Sequence, residues 1–350
     1  MNQLHGWRLW AVIAFGLCAL LLPIFVNNNY LMQVFFRIVL FAALGLAWNL
    51  VGGYAGQLSL GHVAFFGVGA YGLAICASHG VPKWIAFVLA PSFATVFAAI
   101  IGKIAFRLRG PYFTLSTIAS AEVLRLTATN LTITGGAIGL SAPVLFSIAN
   151  FWKSFYYSAV VLAIVAFLVN LWTSRSRFGY YLLAIREDED TASAVGIDTA
   201  NYKLRSLLLS SFLTALGGAL YASAFQYIVP DSALTIEISV QMAIITMLGG
   251  AGTLVGPIVG AVLLLSAQEL FKSAGVIVQI LVWLLPSWLM PPWLQEFLKD
   301  KLSESHLLIY GILIVVVVLF LPEGLVGGFE RRSRGGKKKL AQAAAAQGGR

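Results

Sequence analysis

Apolar runs about as long as a bilayer is thick follow one another along nearly the whole chain, and one long polar stretch interrupts them. A run near 20 residues matches a hydrocarbon core of about 30 Å, which only helices or closed barrels cross with every backbone group satisfied. Barrel strands would alternate polar and apolar residues, and these runs do not. Of the 350 residues 59% are hydrophobic and 11% charged, against roughly 25% charged in a soluble domain. The sequence therefore predicts an all-α polytopic membrane protein and excludes soluble enzyme classes.

The polar interruption, SRSRFGYYLLAIREDEDTASAVGIDTANYKLR from Ser174 to Arg205, holds ten of the thirty-seven charges. Tyr181, Leu182 and Ile185 recur at helical spacing and the small residues Ala192 and Ala194 follow an acidic turn, which predicts a short helix. Gly196 ends it, and Asp198 or Thr199 offers an N-cap for a helix beginning around Tyr202. Such a loop is either a grip for something outside the bilayer or a solvated face whose charges only fix topology.

Ten spans are expected. The first two are Leu9 to Val26 and Leu31 to Leu50. Val51 to His62, VGGYAGQLSLGH, then carries Gly52, Gly53, Gly56 and Gly61 with Gln57 and Ser59, which suits irregular or re-entrant backbone better than a lipid-facing helix. Val63 to Ser78 is third, with Gly67, Gly69 and Gly72 where close helix packing or a translocation path would want small residues. Lys83 to Phe106 and Tyr112 to Thr127 follow, joined at Pro111. The charge-free loop Thr129 to Asn150 belongs outside. Ser154 to Thr173 and Ser206 to Tyr227 flank the polar loop, the latter with Gly217, Gly218 and Ala219. Glu237 to Leu248 leads into GGAGTLVGPIVG, whose Gly249, Gly250, Gly252 and Gly256 loosely echo the first Gly-rich break, as two structural repeats would. Leu254 to Phe271 is ninth. Val276 to Ser305, with Pro286, Pro291, Pro292, Trp283, Trp288 and Trp293, reads as an interfacial or re-entrant excursion, and His306 to Leu321 is tenth. Residues 1–321 are expected to form one transmembrane domain, and the basic tail 322–350 is expected to be disordered.

With both termini cytoplasmic, sixteen of the twenty-three Lys and Arg residues lie inside and five outside, nine against five without the tail, as the positive-inside rule requires. The net charge of +9 is thus explained by topology and anionic membrane lipid, and no nucleic-acid partner is implied. Cys18 and Cys76 lie inside apolar segments and read as small hydrophobes. The first helix lacks a clear small-residue cleavage site and is expected to be retained.

Glu122 and Arg125 stand at i, i+3 within the fifth span, where opposite charges partly cancel the cost of burial and either fix packing or meet solute. Arg37, Glu237 and Glu269 lie nearer span ends, where side chains snorkel. His5, His62, His79 and His306 have no metal-ligand spacing, so no metal is expected. No GxxxxGK[ST] loop occurs, since Gly102-Lys103 is followed by Ile104. No cofactor is expected, and if ATP drives this chain another subunit binds it.

Five stretches carry a family likeness: NLVGGYAGQLSLGHVAFFGVGAY (Asn49 to Tyr71), RGPYFTLSTIASAEVLR (Arg109 to Arg125), TNLTITGGAIGLS (Thr129 to Ser141), AIREDEDTASAVGIDTANYKLRSLLLSSFLTALGGALYA (Ala184 to Ala222) and MLGGAGTLVGPIVGA (Met247 to Ala261). Together they resemble the LivM-type permease subunit of branched-chain amino-acid ABC importers, over about Leu44 to Leu264. The resemblance implies a bacterial inner-membrane permease of a fold similar to the cobalamin importer. It also implies three kinds of partner: a second homologous permease, two cytoplasmic ATPases and a periplasmic binding protein. In such permeases a short cytoplasmic helix with small residues before a Gly docks on the ATPase, which here matches Ala192, Ala194 and Gly196 preceded by Glu187, Asp188 and Glu189. The Trp- and Pro-rich excursion and the basic tail are longer than that pattern.

The translocation-path candidates are Gly52, Gly53, Gly56, Gln57, Ser59, Glu122, Arg125, Gly249, Gly250 and Gly252. An ion-coupled secondary carrier using Glu122 and Arg125, or a channel for a small solute such as urea or an amide, are the competing readings. Asp231, on the outer side, is expected to be a benign position, and Ala192 a close-packed contact for an ATPase.

Overall fold

The computed structural model describes residues 22–26, 28–146, 150–284 and 324–325. Most of the expected first span, the tenth span, most of the excursion and nearly all of the basic tail therefore lie outside the described residues. The chain divides into two compact units, residues 1–243 and 244–350.

In the first unit, α1 (Asn29–Asn49) starts from Asn28, whose side chain accepts from Tyr30 N, and ends in a π-helical turn, Leu50–Tyr54. Then come α2 (His62–Ser78), α3 (Lys83–Ala105) and α4 (Pro111–Asn130). After strand β1 (Leu140–Ser141) the chain forms α5 (Phe151–Arg175) and two short helices, α6 (Arg177–Glu187) and α7 (Glu189–Ala194). It continues as α8 (Thr199–Phe225), β2 (Tyr227–Ile228), α9 (Pro230–Ala233) and α10 (Ile236–Gly249), the last running on into the second unit. That unit continues with α11 (Gly256–Leu284).

Eight of the ten expected spans are thus helices among the described residues, each beginning within a few residues of expectation except the seventh, which starts at Thr199 and not Ser206. Five helical stretches there are long and apolar enough to cross a bilayer: Asn29–Tyr54, Lys83–Ala105, Phe151–Arg175, Thr199–Phe225 and Pro230–Gly249. Helix α2 is shorter, and α4 falls outside the five because Thr114, Ser116, Thr117, Ser120, Glu122, Arg125 and Thr127 make it polar for a spanning helix. Helix α11 continues to Leu284, so the start of the expected excursion is unbroken helix: its prolines begin only at Pro286, and nothing before them interrupts the backbone hydrogen bonds.

The core of the first unit is α2 against α8, with α3 beside both and α1 packed on α5. Glycines set the α2–α8 distance. A Cβ at Gly69 would lie 2.1 Å from the Ala215 carbonyl oxygen, and one at Gly218 would lie 2.0 Å from that of Phe66. In a bilayer, where lipid is as apolar as Leu, such backbone approach is what holds helices together. At one end of the bundle, β1 and β2 pair antiparallel, Leu140 with Ile228. Ala142 N donates to Gln226 O, Ser223 Oγ to Pro143 O and Lys83 Nζ to Val144 O. The expected outer loop is therefore pinned, although it carries no charge of its own.

Candidate coupling and translocation site

The polar loop and the first Gly-rich break meet at the other end of the bundle. The expected single loop helix is two, because Asp188 leaves helical geometry (φ −158°, ψ 113°) and its carboxylate accepts from Thr191 N at 2.6 Å, capping α7. Those bonds, the Thr191 N–H first and its hydroxyl second, hold the Asp188 carboxyl below the usual carboxylate range. Gly196 ends α7 with φ +89°, Gly196 N reaching Ser193 O and Ile197 N reaching Ala192 O. Asp198 then caps α8 through Asn201 N.

Two ion pairs brace α7. Glu189 accepts from the buried Lys203 at 2.6 Å, and Asp190 from Arg109, at the α3–α4 junction, at 2.5 Å. Glu189 is therefore spent within the chain, because a Lys this far from solvent requires a counter-charge. Ala192 also departs from expectation. It is 3% exposed, packed inside its own chain, whereas Ala194 and Gly196 are exposed and Val195 is 73% exposed. The apolar knob presented outward is Val195.

The expected irregular backbone after α1 is present. Hydroxyls of α8 reach carbonyls at the end of α1 and the start of the π turn, Ser206 Oγ donating to Leu50 O and Ser210 Oγ to Ala47 O. Gly52 lies against the Trp48 ring, where a Cβ would come within 2.1 Å of ring carbons. Gly53 O accepts from Arg186 Nη1 at 2.7 Å, and Gly56, at φ +68°, leaves room for the Arg186 stem. Residues 56–61 then run along α4, Thr114 Oγ1 donating to Leu58 O and Leu60 N to Thr117 Oγ1. Gln57 Nε2 turns back to Ala55 O, so its amide meets its own segment. Polar positions on α4 thus serve the backbone of a neighbouring non-helical segment.

Ser59 is buried. Ser210 gives its one proton to Ala47 O, so it accepts from His62 Nε2, 2.8 Å away, and His62 Nδ1 accepts from Ser59 Oγ at 3.0 Å. The sequence marked His62 only as a histidine without metal spacing, and no group of three metal-ligating side chains exists among the described residues. A second missed tie joins α1 to α5. Asn170 Oδ1 accepts from Asn49 at 3.0 Å and its Nδ2 donates to Leu46 O. The available signal was a polar side chain inside an apolar run, which hydrocarbon tolerates only when bonded.

Glu122 and Arg125 do pair, at 2.6 Å, but Arg125 also reaches Asp231 of α9 at 2.5 Å. Asp231 is accordingly a partner and not the bystander expected, since the turn of α9 brings it over the end of α4. From Thr117 to Arg125 the axial rise is about 12 Å, so Arg125 lies about two turns beyond the residues that hold the Gly-rich segment. Gly249, Gly250 and Gly252 belong to the second unit. There α10 turns into α11 with positive φ at Gly250 and Gly252, and a Cβ at Gly249 would lie 1.8 Å from Gly256 O. Thr253 caps α11 by accepting from Gly256 N. An apolar cleft of about 520 Å³ lined by Trp84, Phe87, Phe146, Tyr157, Val161 and Leu216 offers little to a charged solute.

Helices of spanning length, interrupted by a non-helical Gly-rich segment that is tied to a polar loop, define a polytopic membrane transport protein of the all-α permease class. The family described as branched-chain amino acid transport system / permease component matches residues 30–318, and the chain belongs to that family. It is 26% identical over 317 residues to the high-affinity branched-chain amino acid transport system permease protein LivM of Escherichia coli K12, covering 82% of this chain and 68% of that one. The Methanocaldococcus jannaschii probable branched-chain amino acid transport permease protein LivM is 26% identical over 247 residues, 69% of this chain and 67% of that one. The autoinducer 2 import system permease protein LsrC of Yersinia enterocolitica is 31% identical over 130 residues, 36% of this chain and 34% of that one. The chain is therefore a transport component, and a permease component implies further components of the same system.

Proposed function

We propose that this chain is the transmembrane permease subunit of an ATP-driven importer that moves branched-chain amino acids from a periplasmic binding protein to the cytoplasm. The observation that carries the reading is the α6–α7 loop, built as a braced, capped corner with Val195 outward and joined by Arg186 to the non-helical segment inside the bundle. A loop that only set topology would not require an ion pair from Glu189 to the buried Lys203 and two capped helices. Two cytoplasmic ATPases, a second homologous permease and a bacterial inner-membrane location complete the assembly, with both termini cytoplasmic. ATP is bound by the partner subunits, and the absence of a phosphate-binding loop from the sequence agrees with this. The solute assignment rests on the named relatives.

Reconstitution in proteoliposomes tests the reading. Leucine uptake is expected to need the ATPases, ATP and the binding protein, and to survive collapse of the proton gradient. Uptake by this chain alone, driven by an ion gradient, would refute it in favour of the carrier.

A further inference from the structure

We propose that Arg186 is the positioning residue through which movement of the cytoplasmic loop reaches the Gly-rich segment and, through that segment, helix α4. The inference rests on the importer reading above and assigns the linkage within it. Arg186 is the next-to-last residue of α6, and Asp188, two positions on, caps α7. Glu189 ties α7 to the buried Lys203, while the Asp190–Arg109 pair is exposed and adds little, so a push on α7 is resisted chiefly at Glu189 and passes to the corner it shares with α6. It displaces the α6–α7 corner, and Arg186 goes with it.

Two contacts fasten Arg186 to the segment. Its Nη1 donates to Gly53 O at 2.7 Å, a charge-assisted bond that is stronger and more directional than a neutral one. Its stem passes so close to Gly56 that a Cβ there would lie 2.8 Å from Arg186 Cγ, and Gly56 takes φ +68°, a conformation other residues rarely adopt. Gly53 sits in the π turn, a local geometry found often at functional positions. At its far end the segment is fastened to α4, through Leu58 O to Thr114 and Leu60 N to Thr117. Residues 53–60 are thus strung between two anchors, one on the cytoplasmic loop and one on the helix that carries the Arg125 cluster, with a positive-φ glycine between them.

The complete importer, with ATPases and binding protein, is reconstituted with Arg186→Ala, Arg186→Lys or Gly56→Ala. Arg186→Ala is expected to keep its ATPases bound while solute moved per ATP hydrolysed falls about ten-fold, the scale of one lost charge-assisted bond. Arg186→Lys, which keeps the charge and one donor, restores most of that ratio, and Gly56→Ala lowers it with Arg186 intact. A wild-type ratio in assembled Arg186→Ala overturns the proposal, as does an equal fall of hydrolysis and uptake in all three variants. If Arg186→Ala does not assemble, a wild-type ratio in Gly56→Ala overturns it. A wild-type complex without ATP-dependent uptake would instead refute the importer reading.

Discussion

Lys203 Nζ, wholly out of solvent, donates to Oε1 of Glu189 at 2.6 Å and stands 5.4 Å from the centre of the Phe106 ring. The pair fastens the polar loop to the second turn of α8. Breaking it from the Glu189 side strands a buried ammonium, so Glu189→Gln is expected to cost about 3 kcal/mol. The double variant Glu189→Gln, Lys203→Met removes both charges and should regain most of that loss. Thermal unfolding of the detergent-purified protein checks both, and equal midpoints for single and double variants would show that the pair is not coupled.

The loop surface predicts a division between two neighbouring positions. Val195→Arg changes an exposed side chain and should abolish ATPase association with the thermal midpoint unchanged. Ala192→Arg forces a long cation into a packed position and should lower both. Co-purification and thermal scans on the same samples decide it. Ala192→Arg that keeps its midpoint would place Ala192 at the contact after all.

Asp188 gives the loop a pH response of known sign. Its folded-state pKa is depressed, so its contribution is fully present above the unfolded value near 3.9 and is lost as pH falls through the folded value. Protection of the Thr191 amide, measured against its intrinsic exchange rate at each pH, should therefore fall as pH drops below the usual carboxylate range, and an unchanged protection there would show that the cap does not titrate. In Asp188→Asn the cap persists and that loss of protection disappears.

At the opposite end, Arg125 joins Glu122 on its own helix to Asp231 on α9. Glu122→Gln and Asp231→Ala should each lower stability, and their combination should differ from the sum because both act on one guanidinium. Solute preference is expected to stay unchanged. An altered preference with normal stability would move the cluster into the solute path.

Gly218→Ala puts a methyl group 2.0 Å from the Phe66 carbonyl oxygen, a rigid neighbour. Overpacking of this kind costs about 1–3 kcal/mol. Gly72→Ala, whose Cβ would lie 3.1 Å from the Ala90 methyl, should cost less. Membrane abundance and thermal midpoint of the two variants give the order.

The class of the protein, most helix positions and the irregular nature of Val51 to His62 are set by local sequence, because bilayer thickness converts apolar length into span and glycine density into broken backbone. The Glu122–Arg125 pair and the Asp198 cap are equally local, each closing within three or four residues. The division of the loop at Asp188 was also within reach, as an Asx cap three residues before the Thr191 amide.

Only the tertiary structure decides which charges are used up. Glu189 looks like its acidic neighbours in sequence, and it is the fold that lays it on Lys203. Asp231 stands 106 positions from Arg125 and Arg186 stands 133 from Gly53, and no periodicity carries such pairings. The reason is physical. Apolar length and glycine content act through the solvent and the residue's own backbone, whereas a buried ion, a freed carbonyl or a methyl-sized gap is satisfied by whatever atom packing brings within hydrogen-bond reach.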